Sequence, residues 1–586
     1  MSMRIGFLSS LALLLAWPAW TMAQTPPPVQ CIPQDAVVCL QVTRPKIVLE
    51  WLAGKEMTEA ITSGPLYQGL LSRPKFKEFL NVVKFLETTL ETDWRTGLGR
   101  LAGGGITIAV CPPDTVVAVI DAEDEAMLTR LHETFLTISR AQAQNEGHPE
   151  NVASREYAGV TAWTFDGKEA HALVGRRLLF ANRSEGLKAM LDLLAGSGGK
   201  SLAANPAFQA ATRAAGADAA ATVFINVKPL MSIPNIASLF ERQQRNPLAV
   251  LAFAGITRPL RNSNWLALGL DIDNKTVTVR ALTDGKIGEP KSPAAFALPA
   301  QPIDGVRPNI AVPRRIAALS LYRDLHGFYA AKDALFPERT SGLIFFENMM
   351  GIFFTGRDLT SEVLAQTEPE IRIVVAEQQY DPAVGTPQVR LPAVAVVLRL
   401  RHPEQFKPVV EEAWQKAVGL INFTRGQKAL PGLIIDRAVQ GETKYTVAYF
   451  STVDVNDRTE LATRYNLRPA LAMPGPYVIL SSTDALARDI INALDQEANR
   501  ISEPLARTHS VLEIDGPPMA SAFQVNRDTL VRGDMVKKGR SQQESEAGID
   551  MLITLTKLVD HITLSIGTQE SMPQARLQMR LRLPQR

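Results

Sequence analysis

Apolar and polar residues alternate with a period of two, give way to helical spacing, and do so in the same order twice along this chain. Ile32-Pro33 leads into an alternating segment, Ala36 to Val42, and then a helix through Trp51. Val312-Pro313 leads into Ile316 to Leu321 and a helix through Leu335. A helical region follows in each: Phe76, Phe79, Leu80, Val83 and Leu90 in the first, Leu343 to Phe354 in the second. Strands are predicted at Ile106 to Val110 and Ile371 to Val375, then at Thr115 to Ile120 and Val394 to Leu400. The last two run into helices, Glu123 to Ser139 and Pro403 to Val418.

The best-matched unit comes next. Arg177 to Asn182 reads as a strand, with Ser184 as N-cap of a helix over Glu185 to Leu194. Tyr477 to Ser482 is its counterpart, and Thr483-Asp484 opens a helix to Leu494. Strands at Thr222 to Val227 and Ser521 to Val525, an apolar helix, and two closing strands complete each copy. The closing pairs are Trp265 to Ile272 with Thr276 to Leu282, and Ile562 to Ile566 with Ala575 to Leu583; Asp273-Asn274 and Ser571-Met572-Pro573 are the turns. The pattern predicts an α+β fold made of two diverged copies of a mainly antiparallel sheet packed with helices. The copies are assigned to residues 31–290 and 310–586, joined by a Pro-rich linker over 291–309. Regular βαβα alternation is absent, which argues against a Rossmann-like sheet.

The N-terminus carries an export signature. Arg4 is followed by the apolar stretch Ile5 to Trp20, and Thr21-Met22-Ala23 offers small residues where a signal peptidase reads. Residues 1–23 are the predicted signal peptide and 24–30 a Pro-rich leader. Later apolar runs, Leu248 to Ile256 and Met551 to Leu558, are too short to span a bilayer and read as core helices. Over the 586 residues, 62 basic side chains nearly balance 60 acidic ones. That balance argues against a nucleic-acid partner, which needs a basic footprint. An exported chain permits a disulfide among Cys31, Cys39 and Cys111. Cys31 and Cys111 meet if their flanking strands are antiparallel neighbours; three buried or free thiols is the other reading.

Motifs with catalytic lettering fail on context. Gly97-Leu98-Gly99-Arg100-Leu101-Ala102 has dinucleotide-fingerprint spacing, but helical residues precede it and Gly103-Gly104-Gly105 leads into a strand, so it reads as a turn. Gly196 to Ser201 resembles the end of a phosphate loop, yet it follows a helix. His132-Glu133 lacks the second histidine of a zinc helix, since Leu136 stands in its place. Asp271 to Asn274 and Asp454 to Asp457 lack the glycine and distal glutamate of a calcium loop. No cofactor, metal ligand set or catalytic residue is assigned. The segment Gly342 to Phe354, with Phe345, Phe346, Met349, Met350, Phe353 and Phe354, is dense in adaptable apolar side chains. It reads as a buried helix between the copies, with a hydrophobic contact surface as the alternative.

Leu98 to Val110, Leu173 to Leu194, Ser201 to Phe208 and Thr222 to Leu230 together resemble a family of bacterial exported proteins of unknown function with repeated α+β units. The resemblance implies an envelope or secreted location and supplies no site residues. The expected role is a non-catalytic binding, scaffold or assembly protein of the bacterial envelope, periplasmic or secreted, for an envelope protein or ligand. A hydrolase assembled only in three dimensions and a carrier of an apolar ligand are the alternatives. Expressed in a Gram-negative host, the exported protein is expected to begin at Gln24; intact mass and N-terminal sequencing of the extracytoplasmic fraction check this, and a retained leader contradicts it.

Overall fold

In this computed structural model the described residues run from 26 to 582, apart from 63–66, 68–70, 72–73, 166–167, 217, 239–245, 287–294, 300, 302, 337–340, 381–385, 452–459, 500–502 and 570–571. The signal peptide and residues 24–25 of the leader, the start of the linker, Asp454 to Asp457 and Ser571 lie outside them, and the rest of the leader runs into a short 3-10 helix, Pro28–Cys31. The fold is α+β: a large antiparallel sheet packed with helices.

The first half supplies β1 (Val38–Val42), β2 (Gly105–Cys111), β3 (Thr115–Asp121), β4 (Val152–Tyr157), β5 (Val160–Phe165), β6 (Glu169–Val174), β7 (Arg177–Ala181), β8 (Ala221–Asn226), β9 (Trp265–Asp273) and β10 (Thr276–Thr283). The second supplies β11 (Gly305–Val306), β12 (Arg315–Tyr322), β13 (Thr367–Ala376), β14 (Ala393–Leu400), β15 (Leu433–Gln440), β16 (Thr443–Phe450), β17 (Ala470–Ala472), β18 (Tyr477–Ser481), β19 (Leu505–Ala506), β20 (Thr508–Asp515), β21 (Val559–Gln569) and β22 (Met572–Leu581). Only β11 and β19 stand apart, as a short pair of their own.

The pairings place the first half in the order β4-β5-β6-β7-β3-β2-β1-β8-β9-β10. The second half runs β15-β16-β17-β18-β14-β13-β12-β20-β21-β22, strand for strand the same order. The two orders join at their last strands, where β10 and β22 pair antiparallel with Val279 opposite Leu577. One twenty-stranded sheet results, with an approximate twofold axis normal to it at the β10–β22 seam.

One strand assignment is corrected. Ser521 to Val525 belongs to a helix, Gly516–Val525, and the strand in that place is β20. Pro517 and Pro518 occupy the first helical turn, where a fixed φ favours helix and the missing N–H costs nothing. Ser184 is the first helical residue rather than the cap; Arg183 precedes the helix and no side chain caps it. Gly97 and Gly99 lie within the helix Trp94–Ala102, capped by Asp93, so the turn begins only at Gly103.

Beyond the seam, a second joint ties the halves together. The fully buried Arg323 donates to the carbonyls of Leu251 (2.6 Å) and Ala252 (2.9 Å) in the first half's helix Pro247–Arg261. It also donates to the carbonyls of Tyr322 and His509 and to Ser510 Oγ. Burial pushes its guanidinium down to about 10. In the same helix Gly255 lies against the His509 ring, so that a Cβ there would stand 2.5 Å from His509 Cε1. Ser510 Oγ, 2.8 Å from His509 Nδ1, holds the ring in place. Gly255→Ala is therefore expected to cost about 1–3 kcal/mol through overpacking. Denaturant unfolding checks this, and an unchanged midpoint would contradict the tight joint.

Candidate binding surface

The two faces of the sheet carry different side chains. Register transfers the face of each residue across the strands, because alternate residues point to opposite sides. One face is sealed. In the first half Ala109, Val117, Val119, Leu179 and Ala181 lie under Leu187, Met190 and Leu191 of the helix Ser184–Leu194 and Phe208 of Pro206–Ala215. In the second half Val374, Ala395, Val397 and Ile479 lie under Leu486, Ile490, Ile491 and Leu494 of the helix Asp484–Ala498. Between these packed regions the same face turns polar, with Arg280, Arg576 and Ser565 in one row.

The other face carries an apolar band across thirteen of the twenty strands. Directly paired residues run Ile120, Ile106, Val42, Ala221, Leu270, Val279, Leu577, Leu564, Leu512, Leu319, Ile373, Val396 and Leu480. No polar residue interrupts this row across thirteen strands of both halves. Ala221 alone is buried; Leu577 is 38% exposed and Leu480 40%. A second row, from Ala118 and Ile108 through Leu40, Val223 and Leu268 to Leu321, Ile371 and Leu398, contains one polar residue, Ser510.

Helices stand around this open face. Trp51 and Met57 pack on Met579 and Leu581 at one end of the strands. At the flanks the helix Glu125–Asn145 reaches β6 through His132, and Pro403–Gly426 covers Leu400 and Val478 through Phe406, Val409 and Val410. The Phe/Met helix, Ser341–Phe353, stands at the other end, anchored by buried Leu343 beside Tyr329 and Phe336.

That helix is not the buried element its composition suggests. Phe345 is 67% exposed and Phe346 is exposed as well, while Met349, Met350, Phe353 and Phe354 are half-buried. Phe354 stacks on Phe406 at 6.5 Å. The segments around Leu248 and Met551 are helices as expected, but Leu248 and Phe253, and Met551, Leu552 and Leu555, are exposed. Composition cannot tell a core helix from one that borders an open apolar face, because both are apolar.

The residues singled out for chemistry do not converge. Cys31, Cys39 and Cys111 are all free and buried. β1 and β2 are antiparallel neighbours, but Cys31 lies before β1 against Arg177, whose Nη1 is 3.5 Å from its sulfur. Cys39 is opposite Ala109, so Cys111 is its diagonal neighbour on the same face. Burial, with Cys111 adding to it, pushes the Cys39 thiol up to about 12, and burial does the same to Cys111. Such thiols are poor nucleophiles. Asp271 to Asn274 form the β9–β10 turn region, and Asp271 accepts from Arg280. Among the described residues no three His, Cys, Asp or Glu side chains group as metal ligands. A cleft of about 470 Å³ beside Gly99 holds Lys46, Glu50, Arg95, Arg100 and Glu123. Several of these charges are already engaged: Lys46 pairs with Glu123 at 2.7 Å, and Arg95 donates to the Ala53 carbonyl.

One contact had no signal in the sequence. His132 and His171, 39 residues apart, bring their Nε2 atoms to 3.0 Å, so one ring donates and the other accepts. His171 stacks on Phe165, and His132 sits edge-on to Trp163. Helix and strand meet here only because β6 passes beneath the helix that follows β3.

No family model matches the chain, and no curated protein does. Among solved structures, crystal form III of TP0453 overlaps 46% of this chain and 85% of its own at 9% identity and a TM-score of 0.25. Crystal form I of the same protein overlaps 46% and 82% at 11% identity and a TM-score of 0.24. No functional statement follows from a likeness of that size.

The histidine pair generates a pH dependence. Burial, with His132 adding to it, pushes His171 down to about 4, and burial lowers His132. The fold thus favours neutral rings, while the unfolded chain takes protons near the ordinary value of about 6.5. Stability from His171 is complete above that value and is lost as pH falls to about 4, amounting to about 3 kcal/mol. Denaturant unfolding at pH 7 and pH 4 is expected to show a smaller acid loss for His171→Phe than for the parent chain; equal losses would contradict the assignment.

Proposed function

We propose that this chain is a non-catalytic binding protein of the bacterial envelope that holds an apolar ligand on the open face of its sheet. The observation that carries the reading is the unbroken row of aliphatic side chains from Ile120 to Leu480, all but Ala221 partly exposed. Fully covering one Leu or Ile is worth roughly 1.5–3 kcal/mol relative to full exposure. Sealing a dozen partly exposed ones, none more than 40% exposed, therefore offers roughly 5–10 kcal/mol before ordering costs are subtracted. A protein that keeps such a face open and borders it with helices is built to have it covered by something else. The Phe/Met segment supports a carrier in particular, because Phe354 at its end packs with Phe406 against Leu400 and Val478 at the rim of the same face.

Two adjacent residues test this. Leu577 points to the open face and Arg576 to the opposite one, both at the seam. An environment-sensitive apolar dye is expected to bind the folded chain. Leu577→Glu should weaken it at least about tenfold, because a carboxylate is costly in an apolar contact, while Arg576→Glu should leave it unchanged. No dye binding to the parent chain, or equal loss in the two variants at unchanged circular dichroism, refutes the reading.

A further inference from the structure

We infer that the ligand is a lipid with two or more acyl chains, withdrawn from a bilayer and laid across the strands over both halves. This rests on the binding surface proposed above and names what occupies it. The first support is length. From Ile106 to Ile373 the row crosses ten strands. At a strand spacing of about 4.8 Å this is roughly 43 Å. One leaflet of a bilayer contributes about 15 Å of hydrocarbon, half of its core. A single chain would leave most of the row uncovered, whereas several chains fill it.

The second support is chemistry. The central row offers no hydrogen-bond donor or acceptor side chain, and its neighbour offers only Ser510. A peptide or a ring-bearing metabolite needs polar partners to fix its orientation; saturated chains do not. The third is access. Helices border the row at the strand ends and flanks, seen in the packing of Trp51 on Met579, Phe406 on Leu400 and His132 on His171, and between them its side chains stay partly exposed. The row also crosses the β10–β22 seam at Val279 and Leu577, so neither half alone provides it.

The full mature chain, stripped of bound lipid, is the material for the test, with a diacyl phospholipid and its one-chain lyso form as probes. The diacyl form is expected to bind at least about tenfold tighter than the lyso form. Lengthening each of the two chains by one methylene should tighten binding by about tenfold, following the value of a buried methylene. After incubation with phospholipid vesicles, the chain should leave gel filtration carrying lipid and free of vesicles. Leu270→Glu in the first half and Leu564→Glu in the second should each remove the diacyl preference. Equal affinity for both forms, or no dependence on chain length, while the apolar dye still binds, overturns the lipid assignment and leaves the proposed function standing. Permanent residence on vesicles, or a dimer that excludes the dye, overturns it in favour of a surface or a second copy. Loss of dye and lipid binding together removes the proposed function itself. Chain-length dependence is measured on the unaltered protein, so the test survives a variant that fails to fold.

Discussion

The antiparallel pairing of β10 with β22 is the constraint on which the architecture rests. Each is the last strand of its half, and alone each would present a row of unpaired N–H and C=O groups, a template for aggregation. Seven residues of β10 find partners on β22 instead. This single ladder fuses two ten-strand sheets, sets the twofold axis, and puts the corresponding faces of both halves on one side. Because the axis exchanges the two ends of the strands, the helices between β8 and β9 of the first half meet those following β12 of the second. Arg323 and the Gly255–His509 contact fasten that meeting point.

The distribution of side-chain sizes follows from helix docking. Under the helices the sheet is rich in small residues: Ala109, Ala172, Ala181 and Ala267 in the first half, Ala376, Ala393, Ala395 and Ala472 in the second. They let the helix backbone approach closely. A Cβ on Gly269 would stand 2.7 Å from the Ala215 carbonyl oxygen, and one on Gly186 would be 3.1 Å from the Ala181 Cβ. Larger side chains such as Val117, Leu179, Val397 and Ile479 share the covered face with these alanines, while the row on the opposite face holds a single small residue, Ala221. The usual allocation, with polar residues on the uncovered face, is therefore not followed along this row.

Much of the fold was legible because the period of the pattern is a backbone property. Strands β1, β2, β3, β7 and β8 and their counterparts β12, β13, β14 and β18 fall where alternation or apolar runs place them. Strands β4 to β6 and β15 to β17 were not assigned, since residues such as Val152–Tyr157 and Leu433–Gln440 are mostly polar or exposed on edge positions. The helix over Gly516–Val525 departs from the strand expected at its end because Phe523 and Val525 favour a strand in isolation, while the proline pair that starts the helix acts only through local geometry. Pairing between β10 and β22 involves residues some 300 apart and has no local signature at all. The His132–His171 contact is of the same kind.

The candidate surface was hidden for a different reason. Segments such as Val394 to Leu398 are apolar on both faces, and a strand of that kind reads as buried on both sides. The structure buries Val374 and Val397 and leaves Ile373 and Val396 half-exposed, although nothing in residue type separates them. An antiparallel sheet with one covered face ordinarily places polar residues on the other. Arg280 and Arg576 show that this sheet does so where its polar face meets water. On the apolar face the same strands carry Val279 and Leu577, one residue away from those arginines. The pattern of solvation written into neighbouring positions thus treats one side of the seam as wet and the other as dry, and the chain alone supplies too little to make it dry.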